Sequence, residues 1–348
     1  MSNWQNQFSA DAGLFPHLLD LPSDQILLSH LCEEEYRKAS FLDQRIFTPQ
    51  LKRQLVPWSK VSQISLPERP SPQYIFHIGH VGSTLISRLL GEIDMVLALR
   101  EPQILRTLAE ISRMDGAPQS PWSLETYHAR FSEIIRWLSR SYDREQRVMI
   151  KASSFVSEIA SQLLSDNQDA LFLYAPLERY LPTILAGEAS VQETHALAGD
   201  RLLRLSKHLG EAPANLWDLS LAQRATLSWL CEMVSLRDAE KKSISANILW
   251  MDFEDFLIAP ATQLRKAADH FHHTLSEEAA TKLISGPIMS SYSKAPEHDY
   301  SPDLRQELLK EASQNHADDI GAAMLWADKL AEKYPSIANV MTLAEKRA

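Results

Sequence analysis

Residues 74–90 join an apolar run, a turn with two glycines and an amphipathic run in the sequence YIFHIGHVGSTLISRLL. This pattern predicts a buried strand, a tight turn and a helix that begins near Ser83. Backbone N–H groups at a helix N-terminus attract anions, and Gly79 and Gly82 would let the chain approach one closely. Ser83 and Thr84 add hydroxyl donors. The segment therefore predicts a phosphate-binding site.

The loop lacks the lysine of a nucleotide-hydrolysing P-loop. Ser83 occupies the position that the Gly-Lys-Ser/Thr signature gives to that lysine. This difference makes hydrolysis of ATP or GTP less expected and favours the binding of another phosphorylated donor. A tight structural turn would also explain the two glycines without any ligand, so the pattern alone leaves both interpretations open.

Short apolar segments recur along the chain and alternate with longer amphipathic ones. The predicted strands are residues 74–78, 96–99, 147–151, 170–174 and 247–251. The alternation predicts an α/β fold, in which helices flank both faces of a P-loop-type parallel sheet. Ligands bind at the carboxyl ends of the strands in such folds. His80, Glu101, Lys151 and Ala175 each lie at or just beyond the carboxyl end of a predicted strand, so we expect them to share one site.

The chain divides into three predicted parts. Residues 1–70 lack a convincing strand pattern and predict a helical extension, with a helix over residues 23–31 that Ser23 would cap. A cluster of prolines closes this extension. Residues 71–300 are predicted to form the α/β domain, and residues 301–348 a charged helical segment at the C-terminus.

Charge and cysteine usage exclude several classes of function. The 348 residues contain 35 Lys and Arg against 45 Asp and Glu, a net charge of −10, so no surface for nucleic acid is expected. Any anionic cofactor would have to be held by a few placed cations. Cys32 and Cys231 give neither a disulfide framework nor a zinc spacing, and no metal is implied. Without a signal-peptide pattern or an apolar run near the roughly 20 residues of a membrane span, a soluble cytoplasmic protein is expected.

The loop, its helix and the second strand with the acidic residue after it resemble the sulfotransferase family, in particular the branch that acts on proteins and glycans. The loop of that branch typically reads Pro-Arg-Ser-Gly-Thr-Thr-Leu. His80 falls at the arginine, Gly82 at the glycine, and Ser83 and Thr84 at the paired hydroxyls. The resemblance implies that Glu101 is the catalytic base and that phosphoadenosine phosphosulfate (PAPS) is the sulfuryl donor.

Two later segments extend the resemblance. Lys151 lies in an element similar to the family's Lys-Thr/Ser-Pro sequence, where it would pair with a phosphate or sulfonate oxygen; an exposed lysine at a strand end is the alternative. Residues 170–183 resemble the block that holds the 3′-phosphate with Arg-Asp-Pro-Arg and a serine eight positions after the first arginine. Ala175 stands in place of that arginine and Thr183 in place of the serine. Arg179 lies one helical turn along and would compensate, unless it is an ordinary solvated arginine.

The resemblance ends near residue 270. Residues 248–260 resemble the Tyr-Glu-Asp-Leu…Asp-Pro segment after the last core strand, so Glu254 and Asp255 are expected to form a turn and a helix cap. Lys294 lies in a later polar loop, where sulfotransferases often cover the nucleotide; a surface lysine is the alternative. The predicted cofactor contacts are Gly79, His80, Val81, Gly82, Ser83, Thr84, Arg179, Thr183 and Lys294. The predicted catalytic residues are Glu101, His80 and Lys151.

Two histidine patterns suggest other chemistry. Residues 77–80 spell the HIGH tetrapeptide of class I tRNA synthetases and nucleotidylyltransferases, but Gly-Ser-Thr follows at once and the second signature of those enzymes is poorly matched. His270, His272 and His273 suggest a metal cluster. His272 and His273 are adjacent and would face different directions on a helix, and no well-spaced carboxylate accompanies them. We interpret the tetrapeptide as incidental and the three histidines as ordinary helix-surface residues.

The sequence thus predicts a sulfotransferase-like enzyme that acts on a small-molecule, glycan or protein hydroxyl. Sulfuryl transfer needs in-line positioning and charge stabilisation at the bridging oxygen more than covalent help. The loop would hold the phosphosulfate, His80 or Lys151 would lie near the leaving oxygen, and Glu101 would take the acceptor proton. A carboxylate that interacts with a helix dipole is the alternative for Glu101. Two rival functions remain: a non-catalytic descendant that binds a nucleotide weakly or a protein partner through the N-terminal extension, and an ATP-using transferase.

Overall fold

A computed structural model describes residues 3–164, 167–290 and 302–347 of the chain. The N-terminal part contains three helices and three strands. The helices are α1 (Asn3–Ala10), α2 (Glu33–Lys38) and α3 (Trp58–Ser62). The strands are β1 (Leu14–Asp20), β2 (Gln25–His30) and β3 (Arg53–Pro57), and they form an antiparallel sheet in the order β1-β2-β3.

The prediction that residues 1–70 form a helical extension, with a helix capped by Ser23, is wrong. Ser23 lies in the turn between β1 and β2, where its hydroxyl donates to Asp20 Oδ2 at 2.5 Å. Along β2, Ile26 and Leu28 are buried whereas Leu27 is half-buried, which is the two-residue period of a strand. Adjacent apolar residues such as these fit the period of a helix as well as that of a strand. Here they form a strand because β2 pairs with β1 on one side and β3 on the other.

The main sheet has five parallel strands in the order β5-β6-β4-β7-β8. The strands are β4 (Gln73–His77), β5 (Val96–Arg100), β6 (Arg147–Lys151), β7 (Asp169–Tyr174) and β8 (Asn247–Asp252). Each predicted strand is confirmed to within one residue. A cross-strand row of Phe76, Phe172 and Trp250 holds the register of three strands, with ring centroids 5.5 and 5.0 Å apart in edge-to-face contacts. The predicted α/β class with a parallel sheet is confirmed.

Helices connect and flank these strands. They are α4 (Ser83–Leu90), α5 (Gln103–Arg113), α6 (Leu124–Leu138), α7 (Ala160–Leu163), α8 (Leu177–Leu185), α9 (Glu188–Leu209), α10 (Leu221–Lys242), α11 (Phe253–Ile258), α12 (Pro260–His270), α13 (Glu277–Ile284) and α14 (Pro287–Ser290). Short 3-10 turns lie at Gln44–Ile46, Ser154–Ile159 and Leu216–Asp218. Among the described residues, no helix combines the length and apolar character that crossing a membrane requires.

The C-terminal part is helical, as predicted, in α15 (Pro302–Asn315), α16 (Ala317–Lys333) and α17 (Pro335–Arg347). Both α16 and α17 pack against α10, so this segment adds to the helical layer beside the sheet. The domain boundaries at residues 70 and 300 stay predictions.

Two buried arginines join the N-terminal part to the α/β part. Arg140, which follows α6, donates to the carbonyls of Phe8, Asp11 and Leu14 at 2.8, 2.7 and 2.5 Å. Arg100, at the end of β5, donates to carbonyls at the end of α2, including that of Ala39 at 2.8 Å. Charged hydrogen bonds that are removed from water are costly to break, so these contacts couple the two sheets.

Candidate functional site at the carboxyl edge of the parallel sheet

The loop between β4 and α4 turns through three residues with left-handed backbone angles. Gly79, His80 and Gly82 have φ values of 88°, 54° and 62°. The Gly79 N–H donates to His77 Nδ1 at 3.0 Å, and the Ile78 N–H donates to the Leu173 carbonyl of β7 at 3.3 Å. The loop is therefore folded back on the strand that it leaves and tied to the neighbouring strand.

Gly82 is required by packing as well as by backbone angle. A Cβ atom at this position would lie 1.9 Å from the ring of Phe253, the first residue of α11. Phe253 belongs to the segment 248–260, for which the sequence predicts a structural role. This contact favours the ligand-free explanation of Gly82, namely a tight structural turn, although it does not conflict with anion binding.

The first turn of α4 presents the groups that the sequence predicts for an anion. N–H groups of a first helical turn have no acceptor within the helix, and the helix dipole places positive potential there. Ser83 and Thr84 are buried, with 5% and 3% of their surface exposed. Thr84 Oγ1 also accepts a hydrogen bond from Lys151 Nζ at 3.3 Å, which joins α4 to the end of β6.

Lys151 and Glu101 form an ion pair directly beside this turn. Lys151 is fully buried, and its ammonium donates to Glu101 Oε1. The backbone joins the two residues as well, because the Glu101 N–H donates to the Lys151 carbonyl at 2.6 Å. His77 Nε2 lies 3.9 Å from the same Glu101 oxygen. The structure therefore brings together Thr84, Lys151 and Glu101, and the exposed strand-end lysine considered as an alternative is wrong for Lys151.

The N-terminal part contributes a wall to the site that sequence reasoning missed. Arg45 Nη2 lies 3.8 Å from Glu101 Oε2, and its guanidinium stacks 3.3 Å above the Phe41 ring. Arg45 Nε also donates to both carboxylate oxygens of Asp43 at 2.9 Å. Lys151 Nζ lies 5.7 Å from the same Phe41 ring. No sequence motif marks residues 41–45. Backbone pairing between distant segments brings them to this edge, because the Leu42 N–H donates to the Arg100 carbonyl and the Leu42 carbonyl accepts from the Gln103 N–H.

His80, at the predicted basic position of the loop, lies against an acidic residue that sequence reasoning also missed. Its Nε2 is 3.3 Å from Glu193 Oε2 of α9. The other carboxylate oxygen of Glu193 lies 3.6 Å from Nη2 of Arg201, a buried residue two turns further along α9. The long-range packing of α9 against the loop creates this contact.

The predicted 3′-phosphate block lacks a cation at its first position. Ala175 is 4% exposed, and its carbonyl accepts a hydrogen bond from the buried Trp229 Nε1 at 2.8 Å. Arg179 is exposed on α8, and the Thr183 hydroxyl donates to the Arg179 carbonyl at 2.9 Å. The structure thus leaves Arg179 in the setting of a solvated helix arginine, while its role stays a prediction. Lys294 lies outside the described residues.

Asp252 ends β8 at the same edge of the sheet and caps α11. Its Oδ1 accepts a hydrogen bond from the Glu254 N–H at 2.9 Å. Burial is the main cause that raises the pKa of its carboxyl to about 6. The cap is therefore Asp252 and not the predicted pair; Glu254 lies in the first turn and accepts from Arg305 at 2.6 Å.

Two of the three histidines near residue 270 stabilise the opposite edge of the sheet. His270 Nε2 lies 2.9 Å from the Ala170 carbonyl, and His273 Nε2 lies 2.8 Å from Gln73 Oε1. Burial lowers the pKa of both imidazoles. His272 is exposed, and no group of potential metal ligands occurs among the described residues. The prediction that these are ordinary surface histidines holds for His272 but is wrong for His270 and His273, which bind sheet groups.

Three basic side chains around the loop each face a carboxylate of the chain. Lys151 pairs with Glu101, His80 with Glu193, and Arg45 with Asp43. These pairs add little net positive charge to the site, whereas the N–H groups at the start of α4 attract an anion without a side-chain charge.

No protein-family model and no curated protein sequence matches this chain. Several solved structures are similar to it, among them sulfotransferases and a retinol dehydratase. A sulfotransferase from Alicyclobacillus acidocaldarius shares 13% identity and a TM-score of 0.36, with 73% of this chain and 95% of that chain covered. The sulfotransferase domain from the curacin biosynthetic pathway shares 10% identity and a TM-score of 0.35, with coverage of 72% and 99%.

A structure of retinol dehydratase in complex with androsterone and the inactive cofactor PAP is similar over a longer part of the chain. It shares 12% identity and a TM-score of 0.31, with 92% of this chain and 94% of that chain covered. At such identities and TM-scores, these similarities carry no conclusion about what this chain binds or transforms.

Proposed function

We propose that the protein transfers a sulfuryl group from PAPS to a hydroxyl acceptor. The observation that carries the proposal is the contact chain from Thr84 through Lys151 to Glu101. It connects the N-terminus of α4, where an anion is favoured, through the end of β6 to a carboxylate that directly follows β5. An anion site and a base side by side are what in-line transfer to a hydroxyl requires.

The residues present fit one half of this donor better than the other. The N–H groups at the start of α4, with Ser83 and Thr84, suit the 5′-phosphosulfate. The 3′-phosphate would lack the usual guanidinium because residue 175 is an alanine. Ala175 is buried, and its carbonyl is bound to Trp229. Arg179 and Lys294 are the proposed substitutes. The donor supplies an activated sulfur–oxygen bond; the sulfur leaves the bridging phosphate oxygen and bonds to the acceptor oxygen, which gives up its proton.

Glu101 is the proposed acceptor of that proton. Its Oε1 is bound to Lys151, whereas its Oε2 lies 3.8 Å from Arg45, beyond hydrogen-bonding distance. Oε2 is thus the oxygen that an acceptor hydroxyl would approach. Lys151 fixes the carboxylate and, with His80, would offset negative charge on the leaving oxygen.

A second function is favoured by a separate observation. The basic side chains of Lys151, His80 and Arg45 already face carboxylates, and Ala175 stands where the family has an arginine. A non-catalytic descendant of the fold, with weak nucleotide binding, would have these features. An ATP-using transferase is the remaining rival.

Ligand-induced shifts of the thermal unfolding midpoint separate the three. Phosphoadenosine phosphate should raise the midpoint more than ATP does, because only a ligand bound by the native state stabilises it. Ser83→Ala with Thr84→Ala should abolish the difference, since each lost hydrogen bond to a charged group costs about 1.5–3 kcal/mol. Ser87→Ala, which removes a buried hydroxyl one turn further along α4, is the control.

The outcomes differ between the candidates. A larger response to ATP would favour the ATP-using transferase. Equal responses, or none, would remove the PAPS assignment. A specific response to phosphoadenosine phosphate without sulfuryl transfer to any panel of alcohols, sugars or tyrosine peptides would favour the non-catalytic candidate.

A further inference from the structure

We propose that Glu193 of α9 limits the affinity of the loop for anions, because its carboxylate competes with anionic ligands for His80. The proposal rests on the proposed function, because it takes the loop and the start of α4 to be an anion site. It goes beyond that function by naming the residue that limits how strongly the loop holds an anion.

The geometry places the carboxylate where a ligand anion would need a partner. Glu193 Oε2 lies 3.3 Å from His80 Nε2, and His80 is three residues before the first helical turn of α4. The Glu193 side chain is 39% exposed, so it faces the solvent from which a ligand would enter. An anion that approaches His80 therefore meets a negative charge already in contact with the imidazole.

A buried ion network fixes the position of that charge. Glu193 Oε1 lies 3.6 Å from Arg201 Nη2, and the Arg201 side chain is 2% exposed. Arg201 Nη1 in turn donates to Ser228 Oγ of α10 at 3.0 Å, and its Nε lies 3.6 Å from Glu232 Oε1. Glu193 is thus held from behind by a guanidinium that cannot move into solvent, and it does not need to reorganise to stay on His80.

Two consequences follow for a ligand. An anion must either share His80 with Glu193 or displace it, and both options lower the affinity relative to a loop without the carboxylate. Removing the charge while keeping the shape should therefore tighten anion binding. Because Glu193 is partly exposed, the gain should shrink as salt concentration rises.

Calorimetric titration with inorganic pyrophosphate at low ionic strength tests the proposal. Glu193→Gln should bind pyrophosphate roughly tenfold more tightly than the wild-type protein, the effect of one like charge in a partly solvated setting. Glu188→Gln removes the same charge from an exposed position in the first turn of α9 and should leave the affinity unchanged. This control separates the local contact from the change in net charge.

A second variant protects the test against loss of folding. Glu193→Asp keeps a negative charge near Arg201 but withdraws the carboxylate from His80 by one methylene group. It should tighten pyrophosphate binding by a smaller factor. Thermal unfolding of each variant, measured beside the titrations, confirms that folded proteins are compared.

The possible results distinguish this proposal from the proposed function. If Glu193→Gln binds as the wild type does or more weakly, while Ser83→Ala with Thr84→Ala lowers the affinity, Glu193 does not compete and the loop remains an anion site. If neither the wild type nor Glu193→Gln binds pyrophosphate, both proposals fail. Tighter binding in Glu193→Gln, lost again when Ser83 and Thr84 are also changed, supports both.

Discussion

Gly82 combines a left-handed backbone angle with close packing against another segment of the chain. Its φ is 62°, and a methyl group there would overlap the Phe253 ring at 1.9 Å. Gly82→Ala should therefore lower the free energy of unfolding by about 2–4 kcal/mol, from backbone strain together with overpacking. Urea unfolding monitored by circular dichroism measures the change.

Gly210 provides the matched control for this prediction. It has a φ of 82° at the end of α9, but nothing lies within 4 Å of a Cβ placed there. Gly210→Ala should cost only about 1 kcal/mol, the strain of the backbone angle alone. Equal losses in the two variants would show that Phe253 yields and that packing does not require Gly82.

The Lys151–Glu101 pair is expected to respond unequally to the loss of either partner. Lys151 is fully buried, whereas the Glu101 side chain is 17% exposed and can be reached by water. Glu101→Gln should destabilise the fold by about 2–4 kcal/mol because a buried ammonium loses its counter-charge. Lys151→Met should cost less, and chemical denaturation of both variants tests the order.

The same substitution separates chemistry from stability at Glu101. Once an acceptor is found, Glu101→Gln should lower turnover by about a hundredfold or more, as expected for loss of a general base. Turnover is to be measured below the unfolding transition of the variant. Full activity of Glu101→Gln would make Glu101 a structural partner of Lys151 only. In the denaturation experiment, a larger loss of stability in Lys151→Met than in Glu101→Gln would show that this carboxylate does not hold the lysine.

The N-terminal sheet carries a buried imidazole that gives it a dependence on pH. His17 of β1 lies between the rings of Phe15 and Phe47, and its Nδ1 is 3.0 Å from Ser29 Oγ of β2. Burial lowers the pKa of His17 from 6.5 to about 4. The folded state therefore binds a proton less readily than the unfolded state does.

The sign of the effect follows from that shift. Above pH 6.5 the neutral His17 imidazole makes its full contribution to the free energy of unfolding. As the pH falls toward 4, the unfolded state takes up a proton first, and the free energy of unfolding falls by roughly 3 kcal/mol in total. The free energy of unfolding should thus fall more steeply with acid in the wild type than in His17→Leu. His128→Gln, at an exposed position of α6, should keep the wild-type slope. Parallel profiles for the wild type and His17→Leu would contradict the buried, neutral imidazole.

Elements differed in how well their sequences predicted them. The five parallel strands were predicted because each is a short apolar run flanked by longer amphipathic segments, and strands buried on both faces need such runs. The strands β1 to β3 were missed because residues 1–70 lack that alternation. In β2 the choice between helix and strand depends on pairing with β1 and β3, which lie up to about 30 residues away in the sequence.

At the scale of the whole molecule, the N-terminal part and the α/β part are expected to unfold together. Arg140 is 3% exposed, stacks 3.7 Å from the Phe8 ring and donates to three carbonyls of the N-terminal part. Arg140→Met would leave those carbonyls without their donor and should cost about 3–5 kcal/mol. Tryptophan fluorescence and far-ultraviolet circular dichroism should report one shared transition at a lower denaturant concentration.

Arg136→Met, a change of the same kind on α6, should have little effect because Arg136 is exposed. Two separate transitions in the wild type would show instead that the N-terminal part is an independent unit. They would also support the prediction that a domain boundary lies near residue 70.

The sequence by itself determined the parallel sheet and the order of groups along its carboxyl edge. Strand periods and helix starts depend on neighbouring residues, so Ser83, Thr84, Glu101 and Lys151 could be assigned to one site from the pattern alone. Only the tertiary structure decided which charges meet there. Glu193 reaches His80 from a separate helix, and Arg45 reaches Glu101 from the N-terminal part. Such contacts arise from packing between segments about 50 to 110 residues apart, and no local pattern encodes them because side-chain electrostatics act through space.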